Sequence, residues 1–365
     1  MALAHQVRDV EGRRETEQAA VPRPEIAVLI PCRNEAATIA RVVEDFRAAL
    51  PEATIYVYDN ASTDGTAEVA ARAGAVVRYE PLPGKGNVVR RMFADVEADV
   101  YVMADGDDTY EAAMARRLVD ELLTRQLDMV NGARQASCTE AYRPGHRFGN
   151  RLLTGIVGLV FGRRIDDMLS GYRVFSRRYV KSFPALAAGF EIETELTVHA
   201  LELRMPIAEV VTAYGERPEG STSKLRTLHD GVRILRAIAT LVKEERPLQF
   251  FTLIFLFLAG AATVLSVPLF MVYFETGLVP RLPTAVLDTG MMLLAFLSLL
   301  CGLILQTVTL GRREMKRMRY LEIPLSPAAR AAMSPPPVAA QTVIEAAPPG
   351  GRLSLAPAAL GGAEA

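Results

Sequence analysis

Short apolar runs alternate with amphipathic stretches from residue 25 to about residue 225. Continuous apolar runs of this kind are typical of strands that are buried on both faces of a sheet. The predicted strands cover residues 25–31, 54–58, 75–79, 99–104 and about 128–132. Apolar positions at helical spacing predict helices between these strands. The predicted helices cover residues 39–50, 66–73, 87–97 and about 111–125. This alternation predicts an α/β fold with a Rossmann-like, mainly parallel wound sheet.

Two long apolar segments without a charged residue follow, at residues 250–274 and 289–311. Since about 20 apolar residues in a helix cross a bilayer core, each segment is long enough to span a membrane. Core helices of a soluble protein are seldom this long without a charge, so we prefer the membrane interpretation. Basic residues flank the pair on both sides, which places both flanks in the cytoplasm. The pattern predicts a two-helix transmembrane hairpin over residues 250–311 in a multi-pass protein of the cytoplasmic (inner or plasma) membrane.

The remaining regions differ from these two in composition. Residues 1–24 are polar, lack the apolar core of a signal peptide, and are predicted to be a disordered tail. Residues 227–249 predict a juxtamembrane amphipathic helix, which lies either on lipid headgroups or against its own domain. Residues 312–365 are basic at first and then rich in Ala and Pro, which predicts a cytoplasmic tail. Residues 25–226 are left as one cytoplasmic domain.

Composition excludes several classes of function. The net charge of -1 provides no basic excess for neutralising phosphates, so no nucleic-acid partner is expected. The three cysteines are scattered and form neither a metal-binding spacing nor a disulfide framework, which fits a reducing compartment. The four histidines include no HExxH pattern, which argues against a zinc hydrolase.

Polar motifs follow the predicted strands, at residues 33–35, 59–60 and 105–107. In wound sheets, ligands bind at the carboxyl ends of the strands. Asp105 and Asp107 are one residue apart, so both carboxylates can face one divalent ion. Such an ion neutralises a pyrophosphate leaving group as its bond breaks. An isolated DxD is more often a carboxylate-rich turn, so the assignment depends on the motifs around it.

Those motifs occur in a characteristic order. They are IPCRNEAATI (30–39), YDNASTDGT (58–66), GKGN (84–87), MADGDD (103–108), NGAR (131–134), DMLSGYRVFSRR (167–178) and RPEGSTSKL (217–225). Together they resemble a family 2 glycosyltransferase, and more closely the dolichol-phosphate mannose synthase group of polyprenyl-phosphate glycosyltransferases. The resemblance covers about residues 25–245 and implies a glycosyltransferase-A fold. Many enzymes of that group also carry C-terminal membrane helices.

The resemblance implies a role for individual residues. The donor would be bound by Pro31, Arg33, Glu35, Asp59, Lys85, Asp105, Gly106, Arg217 and Lys224. The acceptor phosphate would be bound by Arg134, Arg147, Ser221 and Ser223. Asp105 and Asp107 would hold Mg²⁺ or Mn²⁺, and Asp107 and Asp167 are the implied catalytic residues. Asp167 acts either as a base or as an orienting group, since a phosphomonoester is already anionic at neutral pH. The segment Asp64–Thr66 is interpreted as a helix N-terminal signal rather than a ligand.

The implied reaction is inverting transfer of a sugar from a nucleotide-sugar to polyprenyl (dolichyl or undecaprenyl) phosphate at the cytoplasmic face of the membrane. Transfer to another lipid or glycan acceptor and a catalytically inactive membrane scaffold are the alternatives. A processive synthase is disfavoured because the chain contains no tryptophan, which the acceptor motif of those enzymes includes. A nicotinamide-dependent enzyme is disfavoured because PCRNE, not GxGxxG, follows the first strand. The sugar, the nucleotide and the formation of a homo-oligomer are left open.

Overall fold

The computed structural model describes residues 23–136, 165–189, 191–215, 240 and 242–325, together with a few isolated positions. The described residues form one seven-stranded sheet and eight helices. The strands are β1 (Ile26–Cys32), β2 (Thr54–Asp59), β3 (Val76–Tyr79), β4 (Val100–Met103), β5 (Met129–Ala136), β6 (Arg173–Ser176) and β7 (Ile207–Tyr214). The helices are α1 (Ile39–Ala49), α2 (Thr66–Arg72), α3 (Lys85–Asp95), α4 (Met114–Thr124), α5 (Arg177–Ser182), α6 (Ile192–Glu202), α7 (Pro247–Thr276) and α8 (Leu282–Glu322).

The sheet has the order β3-β2-β1-β4-β6-β5-β7. All neighbouring pairs are parallel except those of β6, which runs antiparallel to both β4 and β5. The five predicted strands are present, and the expectation of a Rossmann-like, mainly parallel α/β fold is confirmed. β5 is longer than predicted because it pairs with β7 along its whole length, up to Ala136 opposite Tyr214. β6 and β7 complete the sheet beyond the predicted strands.

The sheet separates two cores because successive side chains of a strand point to opposite faces. In β1, Val28 and Ile30 pack with residues of α1 and α4. Ala27 and Leu29 pack on the other face, with residues of α3, α5 and α6. Every residue of β1 is buried. The continuous apolar run of β1 is therefore what two covered faces require.

α7 and α8 are both long and apolar enough to cross a membrane, and few of their residues are buried. They pack against each other, and Gly302 permits a close approach. A Cβ at this position would lie 2.9 Å from the Cβ of Phe251. α7 begins at Pro247 rather than residue 250, since proline is favoured in the first turn of a helix.

The basic segment that follows the second apolar stretch is helical. α8 continues beyond the predicted membrane boundary at residue 312 and ends at Glu322. The reason is a group of four charged residues that joins α8 to the α/β domain, which we call the docking cluster: Glu202, Glu245, Arg313 and Lys316. The Glu202 side chain is 2% exposed and lies 2.6 Å from Lys316 Nζ and 3.3 Å from Arg313 Nε. Arg313 also lies 3.0 Å from Glu245.

Further contacts at the end of α8 support the same junction. The Tyr320 hydroxyl donates to Asp128 Oδ2 at 2.7 Å. The guanidinium of Arg178 lies over the Tyr320 ring, 5.0 Å from its centre. Ile323 is buried just beyond the helix. A buried carboxylate is costly without a partner, so the basic residues of α8 are held in a helix by the acids that they neutralise.

Candidate active site

The loop after β1 is fixed by the segment that precedes α2. The backbone N–H of Glu35 donates to Thr66 Oγ1 at 2.9 Å, and that of Ala36 donates to Asp64 Oδ2 at 3.1 Å. Asp64 Oδ1 also accepts from the backbone N–H of Thr66 at 3.1 Å. Burial alone would raise the pKa of Asp64, but these hydrogen bonds hold it below its ordinary value. Asp64 and Thr66 therefore have the structural role predicted for them, and they also brace the loop that carries Glu35.

The end of β2 supplies one buried acid and one structural amide. Asp59 is buried, and its Oδ1 has no hydrogen-bond partner among the described residues. The Asn60 amide donates to the carbonyls of Glu80 and Leu82 at 2.9 and 2.8 Å. Its carbonyl oxygen accepts from the backbone N–H of Gly84 at 2.8 Å. An aspartate lacks the donors for this arrangement, so Asn60 positions the next motif.

The two glycines of Gly84-Lys85-Gly86 pack against the backbone of another segment. Gly84 has φ +129°, and a Cβ there would overlap the carbonyl oxygen of Ala188. A Cβ at Gly86 would overlap the carbonyl oxygen of Ala187. The Gly86 N–H donates to Ala188 at 3.1 Å. Both glycines are therefore explained by the close approach of the protein backbone at Ala187 and Ala188.

Lys85 lies between two carboxylates. Its Nζ is 2.5 Å from Asp105 Oδ1 and 2.7 Å from Glu193 Oε1. Burial by itself would lower the pKa of Lys85, but the two carboxylates reverse this and hold its pKa above the ordinary value. The ammonium is therefore charged throughout the neutral range. We call Asp105, Lys85 and Glu193 the donor cluster.

Asp105-Gly106-Asp107 follows β4 directly. Gly106 has no room for a side chain, since a Cβ would lie 2.5 Å from both Cys32 Sγ and Glu35 Oε2. Burial first, and then the carboxylates of Glu35, Asp105 and Asp59, raise the pKa of the Cys32 thiol well above its ordinary value.

The Asp107 side chain accepts a hydrogen bond from a residue of the same turn. Its Oδ1 accepts from the Thr109 hydroxyl at 2.6 Å, and both residues are buried. The neighbouring Asp108 has φ +58° and lies 3.3 Å from Arg41 Nη1.

A second polar group lies along β5 and β7 and includes Asp167, which precedes β6. Arg134 contacts Asp167 with two guanidinium nitrogens, at 2.7 and 2.8 Å, and with its backbone N–H at 3.1 Å. The backbone of Asp167 is in turn held by Asn131, at 2.7 Å, and by Glu209, at 3.3 Å. A carboxylate that accepts from a guanidinium in this bidentate way is stabilised in its charged form.

The turn after Asp167 brings the two polar groups together. The Tyr110 hydroxyl accepts from the Gly171 N–H at 2.8 Å. A Cβ at Gly171 would lie 2.5 Å from Asp105 Oδ2. Burial first, and then the charge of Asp105, raise the pKa of Tyr110, so this hydroxyl is neutral. The turn therefore packs directly against the first acid of the DxD motif.

Comparison with known proteins identifies the family. Residues 27–183 match the sequence profile of Glycosyl transferase family 2. Glycosyltransferase AglJ of Haloferax volcanii is 35% identical over 315 residues, which covers 83% of this chain and 100% of that protein. The chain belongs to glycosyl transferase family 2. The predicted family, the glycosyltransferase-A type of α/β fold and the transferase activity are thus confirmed.

Other similar proteins include a dolichyl-phosphate hexose transferase of Haloferax volcanii. It is 27% identical over 222 residues, which cover 61% of this chain and 96% of that protein. Among solved structures, glucosyl-3-phosphoglycerate synthase from Mycobacterium tuberculosis, in complex with Mn²⁺, UDP-glucose and glycerol 3-phosphate, is 26% identical. Its TM-score is 0.48, and the match covers 64% of this chain and 83% of that one.

The donor set of this family 2 glycosyltransferase suits a metal that is shared with its substrate. Among the described residues, no group of three or more His, Cys, Asp or Glu side chains could hold an ion. Asp105 and Asp107 supply two hard oxygen ligands after one strand. Mg²⁺ is usually bound by one or two carboxylates together with substrate phosphates. The residues therefore fit a divalent ion whose coordination is completed by the donor diphosphate.

The other predicted site residues of the glycosyltransferase fall into two groups. Pro31 is buried within β1 opposite Tyr58, whereas Arg33 is exposed at the mouth of the site. The residues outside the described part of the chain are Arg147, Arg217, Ser221, Ser223 and Lys224.

Two buried residues were not predicted from the sequence. Glu193 belongs to the donor cluster. Arg173 is completely buried and donates to the carbonyls of Met168 at 2.6 Å and Ser170 at 2.9 Å. Burial lowers the pKa of Arg173 below its ordinary value. Arg173 was visible in the SGYR motif as a charge inside an apolar run, but nothing in the sequence distinguishes Glu193 from its neighbour Glu195.

Proposed function

We propose that this glycosyltransferase moves a sugar from a nucleotide-sugar to polyprenyl phosphate (dolichyl or undecaprenyl) at the cytoplasmic face of a membrane, with inversion at the anomeric carbon. The observation that carries the proposal is the continuity of α8. Its first part belongs to an exposed apolar hairpin, and its basic end is joined to the catalytic domain through the docking cluster. A lipid acceptor has its phosphate at the membrane surface, and such a helix holds the active site there. The similar dolichyl-phosphate hexose transferase supports this acceptor class.

On the donor side, Asp105 and Asp107 would hold Mg²⁺ or Mn²⁺ against the diphosphate. When bound, the ion neutralises the charge that develops on the leaving nucleoside diphosphate. Lys85 adds a permanent positive charge, because its pKa is held high by its two carboxylates. We propose that Glu35, Asp59 and the backbone at Gly106 contact the nucleotide, as the resemblance implies.

On the acceptor side, one phosphate oxygen forms the bond to the anomeric carbon while the bond from that carbon to the diphosphate breaks. The second pKa of a phosphomonoester is about 6, so the nucleophile is already an anion and requires no base. The bidentate contact with Arg134 supports an orienting role for Asp167. Arg134 would present its guanidinium to the acceptor phosphate, since planar guanidinium groups suit bidentate binding of oxyanions.

The test is to incubate membranes that contain the full chain with a panel of labelled nucleotide-sugars and polyprenyl phosphate, and to identify the labelled lipid. The expected product is a polyprenyl-phosphate sugar whose anomeric configuration is inverted relative to that of the donor. Label in another lipid or in a glycan would overturn the acceptor assignment. Absence of transfer and of nucleotide binding would favour an inactive scaffold.

A further inference from the structure

The donor cluster contains one residue that belongs to none of the recognised motifs. Glu193 lies in the first turn of α6, and its side chain is only 6% exposed. The Lys85 side chain is 11% exposed and that of Asp105 is 27% exposed. The lysine therefore has one deeply buried acid on one side and one more accessible acid on the other. This asymmetry suggests different tasks for the two acids.

The position of Glu193 is fixed from the acceptor half of the site. The backbone carbonyl of Glu193 accepts from Arg173 Nη2 at 3.1 Å. The same buried guanidinium donates to the carbonyls of Met168 and Ser170, in the turn that leads to Gly171. Gly171 in turn packs against the Asp105 carboxylate. These contacts form a closed ring, which consists of Asp105, Lys85, Glu193, Arg173 and this turn.

The number of hydrogen bonds that the Lys85 ammonium can donate matters for its function. An ammonium group has three N–H donors. Within the described part of the chain, two acceptors lie within reach of Nζ, on Asp105 and Glu193. One N–H donor is left for a ligand oxygen, and a second would be released if Asp105 bound a divalent ion instead. When Lys85 loses Asp105 as a partner, the contact of 2.7 Å with Glu193 still holds its ammonium group.

We propose that Glu193 is a positioning residue that holds the Lys85 ammonium in place through their direct ion pair, while Lys85 exchanges Asp105 for a phosphate oxygen of the donor. The inference rests on the proposed nucleotide-sugar donor. It gives Glu193 a role in diphosphate recognition that acts entirely through Lys85. No bond is made or broken in this exchange, since only hydrogen-bond partners change.

The test compares Glu193→Gln with Glu202→Gln in the full-length protein. Both are buried glutamates of α6 that contact a lysine at 2.7 and 2.6 Å, but Glu202 lies in the docking cluster, away from the donor motifs. UDP, GDP, CDP and dTDP are titrated calorimetrically with Mg²⁺, and the matching monophosphates serve as probes without the second phosphate. Glu193→Gln should weaken binding of the diphosphate about 10-fold and leave the monophosphate affinity nearly unchanged. Glu202→Gln should change neither affinity.

Two further variants keep the result interpretable. Glu193→Asp keeps the charge and should recover part of the diphosphate affinity. In a Lys85→Met background, Glu193→Gln should have no further effect, since the two residues act as one unit. In steady-state assays, Glu193→Gln should raise the donor KM more than it lowers kcat.

The outcomes distinguish this inference from the proposed function. If the wild-type protein binds none of the four diphosphates, the assigned donor class is wrong. If it binds one of them and Glu193→Gln binds that diphosphate equally well, the role of Glu193 is overturned while the function stands. Equal losses for diphosphate and monophosphate would also overturn it, because they would indicate general damage to the site.

Discussion

The two ends of α6 carry ion-pair clusters that look alike and differ in charge balance. Glu193 in the first turn contacts Lys85, and Glu202 at the last residue contacts Lys316. The docking cluster contains two acids and two bases, so its charges cancel. The donor cluster contains two acids and one lysine, and Asp107 follows in the same loop. The excess of negative charge at the donor cluster is what a site for a divalent ion requires.

The dipole of α6 affects the two glutamates in opposite directions. A carboxylate near the N-terminus of a helix is stabilised by the helix dipole, whereas one at the C-terminus is destabilised. Glu193 therefore needs only one cation, while Glu202 is matched by both Lys316 and Arg313. A buried ion pair is weak evidence for either function or stability by itself. The surplus of negative charge, and not the presence of a buried ion pair, therefore distinguishes the proposed donor site from the docking cluster.

The largest expected effect on the transfer rate comes from a residue beside the donor cluster. Asp107→Ala removes one of two carboxylates proposed to hold the ion, and should reduce transfer about 1000-fold or more. The measurement is transfer of label from the nucleotide-sugar to the lipid, alongside the thermal unfolding midpoint in detergent.

Asp108→Asn is the matched control for this variant. Asp108 pairs with Arg41, and its φ of +58° is well tolerated by asparagine. Transfer should therefore remain near the wild-type rate. Asp107→Ala protein that keeps more than a tenth of the wild-type rate would remove Asp107 from the proposed metal site.

A substitution in the docking cluster should change the stability of the protein rather than its affinity for the donor. Glu202→Gln leaves Lys316 and Arg313 with one carboxylate, Glu245, and should lower the free energy of unfolding by about 2 kcal/mol. The reason is that two half-buried cations lose the carboxylate of the buried Glu202 as their counter-charge. Thermal unfolding in detergent measures the change. A loss of diphosphate affinity as large as that expected for Glu193→Gln would abolish the distinction between the two clusters.

An effect of pH on stability is expected beside the docking cluster. Burial, and then the charge of Lys316, lower the pKa of His199 from 6.5 to about 3. The unfolded chain binds this proton at a higher pH than the folded protein, so stability falls as the pH drops from about 6.5 towards 3. The free energy of unfolding is lowered in this way by about 2 kcal/mol at about pH 5.

His199→Gln should remove this part of the pH dependence. The unfolding midpoint of the wild-type protein should fall more steeply than that of the variant between about pH 7 and about pH 5. Parallel curves for the two proteins would show that His199 does not carry the effect. Since other carboxylates titrate in both proteins, only the difference in slope is informative.

Much of the fold was predictable because its periodicity is local. β1 to β5 are apolar runs separated by helical patterns, and all of them are present. β6 has only four residues, Arg173–Ser176, and begins with a buried charge, so neither length nor composition identified it. The site motifs were predictable for a related reason. The carboxyl ends of the parallel strands β2, β1 and β4 lie at one edge of the sheet, which brings Asp59 and Asp105 to the same region.

The sequence by itself determined the order of strands and helices, the apolar hairpin and the acids at the strand ends, because each depends on residues close together in the chain. Only the tertiary structure decided that Glu193 contacts Lys85, that Arg173 ties α6 to the turn before Gly171, and that the basic end of α8 docks on Glu202. These contacts join residues far apart in sequence. Their partners are selected by burial, since a charge removed from water is stable only beside a counter-charge or enough hydrogen-bond partners.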